Sequence, residues 1–247
     1  MALSFRHLIL LAFGLITLCQ APLPAQTSAA PTKDGLAFTV YAPNESSIWD
    51  QLYYLQGAKP PVKLAFFSNG RSAPIKLSGA PKPLVFGVER VDPDTQQKTY
   101  VPVVEVAWPE STAKALVLFT ASDGASPQVQ AVAVNDGPKG FPLRSARLFN
   151  ATGVPLLGKV AAFQGAVPPG ISPAYPYEVK SEDPTKISTV PFAIAIQNPE
   201  AGARLLYDGS GDAWPFARSL IVILPPRPGS KDLELRILVD SPPPSKE

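Results

Sequence analysis

The chain has 247 residues, with 22 lysines and arginines against 20 aspartates and glutamates, for a net charge of +2. So even a balance gives no electrostatic footprint for nucleic acid or an anionic membrane surface. The single histidine (His7) and the single cysteine (Cys19) both fall in the first 25 residues. A chain trimmed there lacks the usual proton shuttle, the thiolate nucleophile and the softest metal ligands.

Arg6-His7, an apolar-to-neutral run from Leu8 to Leu18, and a small residue, Ala25, before Gln26 predict a secretory signal peptide over 1–25. The run is too short to span a bilayer. The expectation is an exported protein, periplasmic or extracellular, with no transmembrane span once the signal is removed. Lipidation at Cys19 is disfavoured because bulky Leu18 stands where a lipoprotein signal wants a small residue. Without Arg6 the balance is 21 against 20. With no cysteine left for disulfides, stability must come from apolar burial.

The 30 prolines recur every few residues from Pro22 to Pro244, against a usual share of about 5%. That leaves little room for a helix of several turns. Between them stand short runs rich in Val, Ile, Leu, Phe and Tyr, the pattern of strands joined by Pro/Gly turns. The predicted fold class is all-β: two tandem β-sandwich (Ig-like) domains over 36–140 and 141–240, a degenerate internal duplication. Residues 26–35 form a small, polar lead-in, and 241–247 a Pro-rich tail that cannot add to a sheet interior.

In chain order, the first half offers strands at 36–41, 51–55, 62–67, 75–77, 84–90, 100–108, 115–119 and 128–134, with a helical turn or two possible within 44–55. Asn135-Asp-Gly-Pro138 is a stop. The second half offers 145–149, 156–162, 177–180, 189–197, 204–207, 219–224 and 233–239. In the last, Leu233, Leu235, Ile237 and Val239 share one face and Glu234 and Arg236 the other, the alternation of a half-buried strand. A single larger sandwich sharing one core is the rival architecture. Either way, the short link from Pro138 to Arg144 should hold the halves in contact.

The duplication rests on two correspondences. Leu116–Pro138 lies without gaps on Ile221–Pro243, and Leu64–Ile75 parallels Arg147–Leu156. On that alignment Gly165–Pro191 is an insertion in the second unit and Leu36–Pro61 an addition to the first. Trp108 and Trp214, each followed by proline, read as repeated core plugs.

Chemistry-bearing candidates are sparse. Asp208, Ser210 and Asp212 alternate through a Gly-rich segment in the manner of the first ligands of a calcium loop. Ala213 and Ser219 break that pattern, and a solvated turn between Tyr207 and Trp214 is the simpler reading. No cofactor is expected, and no metal beyond that candidate. Trp49, Tyr53 and Tyr54, and Tyr175 with Tyr177, form the best aromatic clusters for stacking on sugar rings, although such residues commonly cap a sandwich core. Glu105, Glu110, Glu200, Asp92 and Asp94 supply carboxylates for a glycosidase pair, but no spacing singles two out. Ser111 and Lys114 match a Ser-x-x-Lys spacing, in a segment that leads into a strand rather than a helix. Asn44-Glu-Ser46 and Asn150-Ala-Thr152 match the N-glycosylation acceptor pattern.

The signal peptide, the phrase Phe141-Pro-Leu-Arg-Ser-Ala-Arg-Leu-Phe-Asn-Ala-Thr-Gly153 and the paired Leu-Val-Leu-Phe-type strands resemble a group of uncharacterised exported bacterial β-proteins. The resemblance implies a bacterial envelope location and carries over no activity, ligand or catalytic residue. The leading expectation is a non-catalytic exported protein that contacts another envelope or secreted protein, through sheet edges or the segment Gly165–Pro191. A carbohydrate-binding module and a carboxylate-based hydrolase are the alternatives.

Overall fold

A computed structural model describes residues 35–79, 82–122, 128–180, 183, 186–198, 202–227, 229–230 and 232–241. The predicted signal peptide with His7 and Cys19, most of the lead-in, Glu200 and the tail from 242 lie outside the described residues. No described helix is long and apolar enough to cross a membrane.

The fold is all-β. The first unit contains β1 (Leu36–Tyr41), a 3-10 turn (Ser47–Gln51), β2 (Leu52–Leu55), β3 (Val62–Lys63), β4 (Ile75–Leu77), β5 (Leu84–Val91), β6 (Lys98–Val106), β7 (Lys114–Ala121) and β8 (Val129–Asn135). The second contains β9 (Ser145–Asn150), β10 (Leu156–Val160), β11 (Phe163–Val167), β12 (Gly170–Ile171), β13 (Tyr175–Pro176), β14 (Ser188–Asn198), β15 (Gly202–Ala213), β16 (Arg218–Leu224) and β17 (Glu234–Asp240). Each unit has an outer and an inner sheet. The first unit's outer order is β3-β2-β5-β6 and its inner order β4-β1-β7-β8. The second's are β11-β10-β14-β15 and β12-β9-β16-β17, with β13 also on β9.

Three cores separate the four layers. Phe38, Val40, Val117 and Phe119 meet Leu52, Leu84 and Phe86 inside the first unit. Leu148, Ile221 and Ile223 meet Val160, Phe192 and Ile194 inside the second. Between the inner sheets, Tyr41, Leu116, Leu118 and Val134 meet Phe149, Leu220, Val222 and Leu238, with Phe141 of the linker among them. The central inner strands β7 and β16 are therefore buried on both faces. That is why β7 and β16 read as continuous apolar runs rather than alternations.

The units share strand order and register. Thr39 of β1 pairs in parallel with Leu116, and Arg147 of β9 pairs in parallel with Leu220. Ser72 clasps β1: its Oγ accepts from Val40 N at 2.9 Å while its own N–H donates to Val40 O at 2.9 Å. Ser172 repeats this on Leu148 at 2.9 and 2.8 Å. These serines satisfy backbone groups that the short edge strands leave open.

This correspondence corrects the sequence alignment. Leu116 and Leu220 both face the seam, whereas Ile221 faces the second unit's own core. Laying Leu116 on Ile221 is thus one residue out, and a one-residue slip inverts every side chain of a strand. The second correspondence fails too, because Arg147–Asn150 lies on β9, the counterpart of β1. Gly165–Pro191 is no simple insertion: it holds most of β11 together with β12 and β13, which stand where β3 and β4 stand in the first unit. The predicted strand at 62–67 is only β3, since Phe66 turns onto Trp49 and Phe119 at 5.1 and 5.5 Å between ring centroids. No strand forms at 177–180: β13 ends at Pro176, one further main-chain bond runs from Tyr177 N to Arg144 O at 2.9 Å, and the Tyr177 side chain turns into the core.

One end of the seam is locked by charge. Arg218, 4% exposed, donates from Nε to Asp240 Oδ2 at 2.8 Å and from Nη2 to Asp136 Oδ1 at 2.8 Å. Its Nη1 donates to the carbonyls of Asp136 and Phe141 at 3.0 and 2.7 Å. Its guanidinium also lies 4.6 Å from the Phe141 ring centroid. Arg71 closes the square on Asp136 at 2.8 Å and Asp240 at 2.9 Å. Asp136 and Asp240 follow or end the equivalent strands β8 and β17, so each unit contributes one carboxylate and one guanidinium. The linker beside them is tight: a Cβ at Gly140 would sit 2.3 Å from Asn135 Cγ.

Candidate binding cleft at the open end of the seam

At the far end of the same seam the apolar ladder runs out. The seam-facing residues of β7 pass from Leu116 and Leu118 to Thr120, and those of β8 from Val134 and Val132 to Gln130. On β17 they pass from Leu238 to Arg236 and Glu234. Residues of one strand face repeat every second position, so the change from apolar to polar occurs at one level in both sheets. There the sheets part and leave a cleft of about 540 Å³, lined among others by Asn44, Gln128, Gln130, Arg227, Glu234 and Arg236.

The walls are held from outside. Asn44 Nδ2 donates to Ala121 O at 2.9 Å, and Trp49 Nε1 donates to Asn44 O at 2.8 Å. Asn44 Oδ1 is buried with no partner among the described residues. Ser122 N donates to Gln128 O at 3.0 Å, and Ser122 Oγ accepts from Gln128 N at 3.0 Å, closing the mouth of the β7–β8 hairpin. Arg227 grips both oxygens of Glu234 at 2.7 Å, and Arg236 pairs with the same carboxylate. The Arg227 hydrogen bonds, assisted by the Arg236 charge, hold the Glu234 carboxyl below its ordinary 4.5. Behind the cleft, burial pushes the Tyr41 phenol above its ordinary value, outweighing the nearby Arg236.

Of the residues singled out from sequence, Asn44 lines the cleft and the other described candidates lie elsewhere. Asp208, Ser210 and Asp212 lie in β15, paired with Ala193, Pro191 and Thr189 of β14. Neither the calcium loop nor the solvated turn forms. Three oxygens spaced about 7 Å apart along a strand cannot close around one ion at calcium distances. The intervening glycines face inward, where the Tyr207 ring lies over Gly209 and stacks on Phe192 at 4.7 Å. No group of three or more His, Cys, Asp or Glu placed to share a metal occurs among the described residues.

The aromatic clusters are divided. Trp49 and Tyr54 are core residues, and Tyr177 is buried with its hydroxyl donating to Ala217 O at 3.1 Å. Tyr175 stacks on Phe163 at 3.9 Å. Tyr53 faces outward from the first outer sheet, beside Tyr100 at 5.0 Å; both hydroxyls donate to Glu89, which Lys98 also binds at 2.9 Å. The Lys98 hydrogen bond is the main cause of the lowered Glu89 carboxyl. Tyr100 and Glu89 join Tyr53 only through the β2–β5 pairing, which sets Tyr53 opposite Gly87 across a sheet and leaves no local mark in the sequence. Trp108 packs half-buried on the first core, with Nε1 donating to Thr112 O at 3.1 Å. Trp214 is half-buried beyond β15, where its carbonyl accepts from Ala217 N.

Asp92 caps the β5–β6 turn by accepting from Asp94 N and Thr95 N. Those backbone bonds, Thr95 first, lower its carboxyl. Asp94, Glu105 and Glu110 are exposed, and Ser111 lies in the turn before β7. Asn150 is 1% exposed, and its amide donates to Val154 O and Val167 O at 2.8 and 3.0 Å. The Asn44 amide nitrogen is likewise engaged, so neither acceptor asparagine presents a free amide nitrogen. The chain matches no known protein-family model and no curated protein.

Proposed function

We propose that this is an exported, non-catalytic β-sandwich protein that binds an extended segment of another envelope or secreted protein in the seam cleft. The observation that carries this reading is one seam with two unlike ends. It is locked at one end by buried Arg218 and three half-buried partners, Arg71, Asp136 and Asp240, and opens at the other into a polar cleft built from both units. Amides on the walls, those of Gln128 and Gln130, match the backbone groups of an extended polypeptide. Arg227 and Arg236, held by Glu234, set the charge at the entrance. Shared register and the two serine clasps support a common origin of the units by duplication.

Site-specific photocrosslinking in intact cells tests the reading. A photoreactive residue in place of Gln130 should capture one reproducible partner, and the same residue in place of Lys159, on the second outer sheet, should not. Equal or absent capture at the two positions counts against it. A saccharide-binding reading rests instead on Tyr53 and Tyr100, which share an outer face with Glu89 and Lys98. Loss of retardation in a polysaccharide gel on Tyr100→Ala, with Tyr177 intact, would support that alternative.

A further inference from the structure

Every sheet edge exposes unpaired backbone groups, and folded proteins blunt such edges with short strands, prolines, lysines, glycines, bulges or a covering element. Most edges here are blunted. In the first outer sheet, β3 is two residues long and includes Lys63, while β6 carries Pro102 and pairs through a bulge. In the first inner sheet, β4 is three residues long with Lys76 at its centre, and β8 has β6 packed along it. In the second unit, β11 has Gly165 at its centre and Pro168-Pro169 directly after it. Of the short pieces on β9, β12 has two residues and β13 ends in Pro176. On the second outer sheet, β15 carries Gly209, Gly211, Asp208 and Asp212, with a register shift against β14.

The exception is β17. It has seven residues, Glu234-Leu-Arg-Ile-Leu-Val-Asp240, with no proline, glycine or lysine and an unbroken register on β16. Its first-unit counterpart, β8, has Ala131, Ala133 and Asn135 where β17 has Leu235, Ile237 and Val239, and β6 shelters that side. In the second unit β15 does not run along β17 as β6 does along β8. Ile237 and Val239 are consequently 40% and 41% exposed. The larger aliphatic residues stand where the cover is missing.

The order of these residues identifies the occupant. Reversed about Ile237, the strand complements itself: Leu235 falls opposite Val239, Ile237 opposite Ile237, and all three share one face. Directly opposed aliphatic pairs of this kind stabilise an antiparallel ladder. Glu234 falls opposite Asp240, but the first is already bound by Arg227 and Arg236 and the second by Arg71 and Arg218. We infer that β17 is the interface of a two-fold homodimer, in which two copies pair β17 antiparallel about Ile237 and join their inner sheets. A two-fold contact of this type is isologous and closed, so it ends at two copies.

The test uses residues 26–247, which contain every described strand and no cysteine. Sedimentation equilibrium should show a dimer at micromolar concentration. Ile237→Arg should weaken it about thirty-fold or more, as expected for a central interface residue, with unchanged circular dichroism. Under mild oxidation Ile237→Cys should crosslink to itself. Leu235→Cys should crosslink only when mixed with Val239→Cys. A wild type that stays monomeric throughout, or an I237R protein that dimerises as well as wild type, overturns the inference. Capture of a foreign strand by a monomeric β17 edge also overturns it and assigns the edge to a heterologous partner. None of these outcomes depends on what occupies the seam cleft.

Discussion

Truncating Arg218 to alanine tests whether the charge lock supports the seam. Its guanidinium makes hydrogen bonds to two carboxylates and two main-chain carbonyls and lies over the Phe141 ring, with only 5% of the side chain exposed. Removal orphans the carbonyls of Asp136 and Phe141, each costing about 1–3 kcal/mol if water cannot reach them. It also leaves two half-buried carboxylates to Arg71 alone. Breaking a buried ion pair from one side typically costs about 3–5 kcal/mol. Because Arg71 still contacts both aspartates, R218A should fall toward the lower part of that range. For a protein of this size each kcal/mol moves the melting temperature by about 2–4 °C, so a fall of at least about 6 °C is expected by calorimetry. Arg218→Lys keeps the charge but cannot reproduce the forked geometry, and should lose roughly half as much. Amide exchange should rise on both sides of the seam, in β7 and in β16. An R218A protein that melts within about 2 °C of wild type would refute the reasoning.

Two further outcomes follow from the same geometry. Ser172→Ala leaves Leu148 N without its partner inside the second core, and should cost about 1–3 kcal/mol in urea unfolding; Ser72→Ala should cost a similar amount through Val40, and the two should add because they sit in separate units. At the cleft, the Glu234 carboxyl is depressed in the folded state, chiefly by Arg227. Its stabilising contribution is therefore present above the ordinary value of 4.5 and is lost as pH falls through the lower folded value. A carbon-detected NMR titration should place the Glu234 midpoint below those of freely exposed glutamates, and Arg227→Gln should move it back up. A midpoint unchanged by that substitution would contradict the assigned cause.

Much of the strand pattern was legible because proline and glycine act locally. The bounds of β1 and β4 coincide with the apolar runs between breakers, and the 3-10 turn lies inside the one segment with room for a helical turn. The cleft was not legible. On β17, Glu234 and Arg236 read as a wet face opposite Leu235 and Ile237, yet Leu238 on that same face is 5% exposed under the first inner sheet. Alternation reports burial only when one face of a strand meets water. The seam-facing polar residues at the end of each ladder lose that contrast once a second sheet covers the strand. The Asp208–Asp212 segment reads as a turn for a related reason: its glycines are turn residues in a local reading, but in the fold Gly209 admits the Tyr207 ring beneath a strand.

The sequence by itself determined that this chain is made of strands joined by links rich in proline and glycine, because the restriction proline places on a helix needs no distant partner. Which face of each strand is buried, which copy of a repeated strand matches which, and where two sheets part to leave a cleft were decided only in the tertiary structure. Those properties depend on residues from distant parts of the chain meeting across a seam, such as Leu116 with Leu220's sheet and Asp136 with Arg218, and no local pattern records such a meeting.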